Sequence, residues 1–224
     1  MYGLLQHRGS KLGGDLRIDL HVHTKQLSPD SDLDIEEAIQ EAKRLGLDGL
    51  CFTEHNKVRE ADALPQLSEK WDFLLLQGVE VDTIEGHMLV FGLHRNFDDV
   101  IRARELRRLV DGVGGMMIAA HPFKGFLTFG MSELKLTAEK ASQRPIFQLV
   151  DAIEVFSGKL NESENDLAQK VSEILNLKGT GGSDAHRLSE LGRCVTTFEN
   201  KIASAQDLIT ELKAGRFKAE YFSK

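Results

Sequence analysis

A chain of 224 residues, 41% apolar and 28% charged, is long enough for one domain with a sizeable core and too ordinary in composition for a disordered or fibrous protein. Its net charge of −7 argues against an extensive nucleic-acid surface, which needs a basic patch, although bound cations would still admit a nucleotide or a strand end. No apolar run reaches membrane-span length and no signal-peptide pattern opens the chain; Cys51 and Cys194 lie outside any Cys-x-x-Cys pattern, so the expectation is two reduced packing thiols in a cytoplasmic protein.

Residues 1–16, with Gly3, Gly9, Gly13 and Gly14, read as a flexible tail in which His7 is incidental, and 17–224 as a single domain. Strand-like runs follow at 17–23, 48–54, 73–81, 88–93, 116–120, 152–157, 178–183 and 194–198. Helical periodicity marks 34–46, where Ile35, Ala38, Ile39, Ala42 and Leu45 share a face and Gly46 stops the helix, then 98–111, 161–176 and 204–214. Segments 58–69 and 131–143 carry a weaker helical pattern. Between the runs at 73–81 and 88–93 the connection is too short for a helical crossover and predicts a hairpin. The alternation elsewhere predicts α/β architecture around a parallel sheet, most economically a barrel of about seven strands.

In such folds functional side chains gather at the C-terminal ends of strands. His21, His23, His55, Glu80, His121, Asp184 and His186 all fall there. His21 and His23 share one face of their strand while Val22 points away, and Asp184 and His186 repeat that spacing. Imidazole with carboxylate suits zinc, manganese or iron better than magnesium or calcium. A four-coordinate catalytic ion takes about three protein ligands, so this many donors predicts two or three divalent ions, with Glu80 as the natural bridge. Water between closely spaced ions is acidified into a nucleophile, and the ions offset charge on equatorial oxygens. Phosphate-ester hydrolysis fits best; amide or lactam hydrolysis is the chemical rival, and a non-catalytic regulatory barrel a third reading.

Taken in order, Asp19-Leu20-His21-Val22-His23-Thr24, Thr53-Glu54-His55, Gly78-Val79-Glu80, Ala120-His121-Pro122 and Gly182-Ser183-Asp184-Ala185-His186 resemble the motifs of the PHP (polymerase and histidinol phosphatase) family, over about 17–200. The resemblance implies a distorted seven-stranded (β/α) barrel, similar to a TIM barrel, holding a trinuclear metal centre. It implies one ion on His21, His23, Glu80 and Asp184, a second on Glu80, His87 and His121, and a third on His55, His186 and a first-loop acid. Asp30 is preferred for that acid by its distance from His23, with Asp32 as the alternative. Two departures stand out: Glu54 replaces the usual aspartate, with a role in orienting His55 inferred, and the inserted subdomain of some nucleotide-cleaving relatives is missing.

Arg193 and Lys124 are candidates for binding a substrate phosphate, each with a plain surface role as the alternative, and Asp184 or His186 for protonating the leaving oxygen. The expected substrate is a small phosphomonoester, a nucleotide or the end of an oligonucleotide. His94 reads as a loop residue and the Arg102–Arg108 run as a solvated helix face. Lys159 and Asn161 read as pocket borders, and Phe123, Phe126 and Phe129 as a wall, lid or core.

Overall fold

A computed structural model describes residues 15–125 and 137–222; His7, Phe126, Phe129 and most of the expected tail lie outside them, as does the first part of the segment 131–143. Chain order is β1 (Leu16–Val22), α1 (Ile35–Leu45), β2 (Gly49–Phe52), α2 (Ala63–Trp71), β3 (Leu74–Gln77), β4 (Val79–Thr83), β5 (Gly86–Phe91), α3 (Ala103–Gly112), β6 (Met116–Ala119), α4 (Ala138–Ser142), β7 (Ala152–Ser157), α5 (Glu162–Leu175), β8 (Lys178–Gly182), β9 (Cys194–Phe198), α6 (Ala205–Ala214) and β10 (Phe217–Tyr221). Cys51 and Cys194 are buried and unpaired with each other. Among the described residues no helix is long and apolar enough to cross a membrane.

The single seven-stranded barrel is not what forms. Among the described residues ten strands make two mixed five-stranded sheets, ordered β10-β9-β1-β2-β3 and β4-β5-β6-β7-β8, and neither closes on itself. Two features account for this. The run read as one strand at 73–81 breaks at Gly78 into β3 and β4, which belong to different sheets. An added Cβ there would meet Thr53 and Phe91 side-chain atoms at 2.8 and 2.9 Å. The β8–β9 connection holds only a short 3₁₀ turn, Leu188–Glu190, too little for a helical crossover, and β9 pairs antiparallel with both β1 and β10. Where the sheets adjoin, strand pairing reduces to isolated bridges, Val22 with Ala185 and His55 with Glu80.

Packing follows from strand alternation. Ile18 and Leu20 of β1, Cys51 of β2, Leu89 and Phe91 of β5 and Ile118 of β6 form a central cluster that Leu208 and Leu212 of α6 complete. Outer clusters join one sheet to α1 and the other to α3 and α5. Val22 has the parity of Ile18 and Leu20 yet packs in the outer cluster with α1. A register shift in the β1–β2 ladder between Asp19 and Val22 explains the change. Bulges of this kind re-aim side chains beside functional sites.

Local signals set the helix ends. Asp34 Oδ1 accepts the Glu36 and Glu37 backbone N–H groups at 2.9 and 3.4 Å, and Gly46, at φ +83°, closes α1. The helix expected at 98–111 begins later, because Ile101 bridges Thr83 in extended conformation. Arg104 and Arg108 on it are exposed, as a solvated face requires, whereas Arg107 is mostly covered and pairs with Asp111 and Asp151. Asn161 caps α5: it accepts the Glu164 N–H at 3.0 Å, and Glu164 accepts the Asn161 N–H at 3.2 Å. Replacing Asn161 with Ala is expected to cost about 1 kcal/mol of stability, read from the denaturation midpoint, with catalytic rates unchanged.

Candidate metal centre

Strand ends from both sheets converge on Glu80, which is fully buried on β4. Its Oε1 lies 2.9 Å from His87 Nδ1 and 3.0 Å from His121 Nε2. Its Oε2 lies 3.4, 3.2 and 3.1 Å from His21 Nε2, His23 Nε2 and His55 Nδ1. Burial raises the Glu80 pKa, but the surrounding imidazoles, His21 first, outweigh it and hold the carboxyl well below the usual range. Asp184 is likewise buried and likewise held ionised against its burial by His21, His23 and His121.

Four buried atoms here have no hydrogen-bond partner among the described residues: His21 Nε2, His23 Nε2, Glu80 Oε2 and Asp184 Oδ1. Leaving a buried polar atom unsatisfied is costly, and four facing one another call for a shared partner. Asp184 Oδ1 is 3.5 Å from His21 Nε2 and 3.3 Å from His23 Nε2, so nitrogen–oxygen separations in this set run from 3.2 to 3.5 Å. Donors around a tetrahedral ion at roughly 2.0–2.2 Å stand about 3.4 Å apart. The donor set fits a divalent cation.

Two further groups adjoin it. His55, Glu80 and His87 bring ligand atoms within 4.8 Å of one another, as do His23, His55 and His186. His121 falls into a group with His21, Glu80 and Asp184 by the same measure. Asp30 Oδ2 is 3.3 Å from His55 Nε2 and 3.1 Å from His186 Nε2, whereas Asp32 faces Arg187 at 3.8 Å. Of the two first-loop acids it is therefore Asp30 that reaches the histidines. His121 and Asp184 both adopt left-handed backbone, φ 26° and 53°, a conformation that side chains rarely adopt and that often marks functional sites.

A layer behind these residues fixes their rings. Glu154 on β7, which the sequence reading passed over, lies with Oε1 2.9 Å from His21 Nδ1, and its Oε2 accepts the His121 N–H at 2.8 Å. Such a carboxylate leaves His21 Nε2 as the ligating nitrogen. An acid inside an otherwise apolar strand was the available signal. Glu54 does not touch the His55 ring. It accepts from Thr24 and Arg59 and from Ser28 Oγ at 2.7 Å, while Ser28 Oγ accepts the His55 N–H at 3.2 Å. The extra methylene of Glu54 thus reaches the first loop and acts on His55 through Ser28.

Lys124 Nζ pairs with Asp184 Oδ2 at 2.9 Å and is 47% exposed, at the mouth of the centre. Arg193 is exposed, and a Cβ on Gly158 would meet both its Cβ and the Ser183 carbonyl, which places its backbone beside the Asp184 loop. Lys159 pairs with Glu190, which also accepts the His186 N–H, so it braces that loop. Phe123 is fully buried in the core with Phe147. His94 is exposed and lines a separate cavity of about 1040 Å³ that contains none of these ligands.

The neighbours of Asp184 and His186 fix both groups in place. Asp184 stays ionised, and a proton on His186 Nδ1 faces the Asp184 carbonyl at 2.9 Å. Acidification should empty the centre. Burial lowers the His21 and His55 pKa values, yet Glu154, Asp184 and Glu80 around His21, and Glu80 and Asp30 around His55, raise both above normal; Glu80 raises His87. Protons therefore compete for these nitrogens at higher pH than for free imidazole. Occupancy after equilibrium dialysis at fixed free metal is expected to fall steadily from about pH 8 to about pH 5.

Known proteins resemble this chain in part of its sequence and in fold. The model of the family described as PHP-associated matches residues 162–217. An uncharacterised protein of Methanocaldococcus jannaschii is 26% identical over 152 residues, covering 63% of this chain and 82% of that protein. Among solved structures, PsfC from Pseudomonas syringae superposes with TM-score 0.62 at 23% identity, over 93% of this chain and 92% of its own. A protein named as a metal-dependent phosphoesterase, from Bifidobacterium adolescentis, gives 0.59 at 16% identity, over 76% and 87%. An amidohydrolase from Chromobacterium violaceum with bound sulfate gives 0.59 at 15%, over 92% and 98%. At these identities the three structures share a fold with this chain.

Proposed function

We propose that this chain, which carries a PHP-family domain, is a metal-dependent hydrolase whose substrates are phosphate esters. The observation that carries the reading is the Lys124 ammonium standing 2.9 Å from a buried ligand carboxylate, Asp184, at the open side of the cluster. A cation so close to cationic metal sites suits an anionic substrate, and a neutral amide gives it no counter-charge. Bound divalent ions would supply positive charge for the phosphoryl oxygens and an acidified water.

The chain's own residues do the rest. Glu80 joins the ligand groups, its Oε1 facing His87 and His121 and its Oε2 facing His21, His23 and His55, while Asp30 reaches His55 and His186. Glu154 and Ser28 hold rings in register, and Asp184 serves as ligand and as the anchor of Lys124. Lys124 would turn from Asp184 to a phosphoryl oxygen, and Arg193 is assigned the second phosphate contact. A small phosphomonoester or nucleotide is favoured over polymer, because the cavity lined by His87, His121 and Lys124 has a volume of only about 270 Å³.

Metal analysis of the purified protein, followed by a panel of phosphomonoesters, oligonucleotides, amides and lactams, tests this. Two or more ions per chain are expected, with phosphate-ester turnover that falls at least about 10³-fold in His21→Ala. Fewer than two ions, or equal activity in the variant, would overturn the proposal; turnover confined to amides or lactams would transfer the centre to amidohydrolase chemistry.

A further inference from the structure

The cavity beside His87 and His121 holds two cations with different circumstances. Lys124 pairs with Asp184, a carboxylate that bound ions would share. Arg144, also lining it, is partly buried and pairs with no carboxylate among the described residues. Its Nη1 donates to the Pro122 carbonyl at 3.1 Å, and its guanidinium lies 5.9 Å from the centroid of the Phe147 ring. Those contacts aim the group without supplying counter-charge. Burial alone lowers its pKa, as expected for a cation taken from water without compensation. Glu85, the acid in the same wall, accepts the Ala103 N–H at the start of α3 at 2.8 Å. An uncompensated guanidinium fork facing a small cavity is a site for an anion.

We propose that Arg144 forms a second anion subsite beside the metal centre, so that the substrate carries, besides the scissile phosphate, another anionic group, phosphate or carboxylate. The inference rests on the phosphate-ester reading and narrows it. With His87, His121, Lys124 and Arg144 all lining the cavity, a substrate with two separated anions can engage the metal side and Arg144 together. One bearing the scissile phosphate alone leaves the Arg144 charge unmatched.

Non-hydrolysable phosphonates separate the two proposals. Binding to metal-loaded protein is measured by calorimetry for n-alkylphosphonates, carboxyalkylphosphonates and alkylene bisphosphonates of matched length. The second anion is expected to tighten binding about 10- to 100-fold in the native protein, the effect of one charge-assisted contact. The carboxylate and phosphonate arms show which anion is preferred. That ratio should fall to about one in Arg144→Gln, which keeps a donor for the Pro122 carbonyl, and partly return in Arg144→Lys. A ratio near one in the native protein, or one that survives in Arg144→Gln, would overturn the subsite alone. If no phosphonate of any kind binds, the phosphate-ester reading fails and the subsite falls with it.

Discussion

Replacing Glu80 with glutamine is expected to lower phosphate-ester hydrolysis by at least about 10³-fold and to remove metal from more than one site. The size follows from position. Glu80 Oε2 is one of the four unpartnered buried atoms, while Oε1 faces His87 and His121, so one carboxylate belongs to two ligand groups. Glutamine keeps the shape but offers a neutral oxygen and an N–H₂ that repels a cation. Metal analysis of Glu80→Gln should show fewer ions than His87→Ala, whose imidazole joins only one group. Stability offers an independent measurement. Ions that bind only the folded chain stabilise it by about 2.7 kcal/mol at free concentrations 100 times their Kd. Chelation should therefore lower Tm in the native protein and lower it less in Glu80→Gln, which keeps only the group of His23, His55 and His186. A variant that retains full metal and a chelator-sensitive Tm would remove Glu80 from the bridging position.

The residues brought together in this centre are those most exposed to sequence reading, for a physical reason. Strand-end histidines and acids carry two independent signals, residue type and phase, and His21, His23, His55, His121, Asp184 and His186 show both; Glu80 shared the phase only while 73–81 read as one strand, and the break at Gly78 makes it the second residue of β4. His87 showed only residue type, because it begins a strand; the hairpin brings it opposite Asp82, within reach of Glu80. Glu154 has the opposite history. It sits one register irregularity from Phe156 in an apolar strand, and only the tertiary fold aims it at His21. Architecture was less legible than the site. Alternating strands and helices suggest parallel pairing, but direction depends on connection length, and the stretch between β8 and β9 already lacked room for a crossover helix. β10 was missed although Phe217-Lys218-Ala219-Glu220-Tyr221, an edge strand paired with β9, alternates apolar and polar residues as a half-buried strand does; the signal was there and spans only five residues.

The other large effect comes from a residue with no functional group. Gly182 ends β8 directly beneath the first ligand pair, and a Cβ there would lie 2.5 Å from His21 Cβ and 2.9 Å from Glu154 Oε1. Both neighbours are fixed, His21 by its strand and Glu154 by its contacts with His21 and His121, so neither can yield without moving a ring. Gly182→Ala is therefore expected to cost about 1–3 kcal/mol through overpacking and to weaken metal binding as well, since His21 Nε2 leaves its place opposite Asp184 and Glu80. Gly112→Ala is the matched control. It lies in α3 with no atom within 4 Å of the new methyl, and the same change there should stabilise the protein by up to about 1 kcal/mol. Opposite signs from one substitution type, read by denaturation and by metal titration, would tie the loss at 182 to contact with His21. A destabilised Gly182→Ala with undiminished metal affinity would show instead that the strand end can shift without taking the imidazole with it.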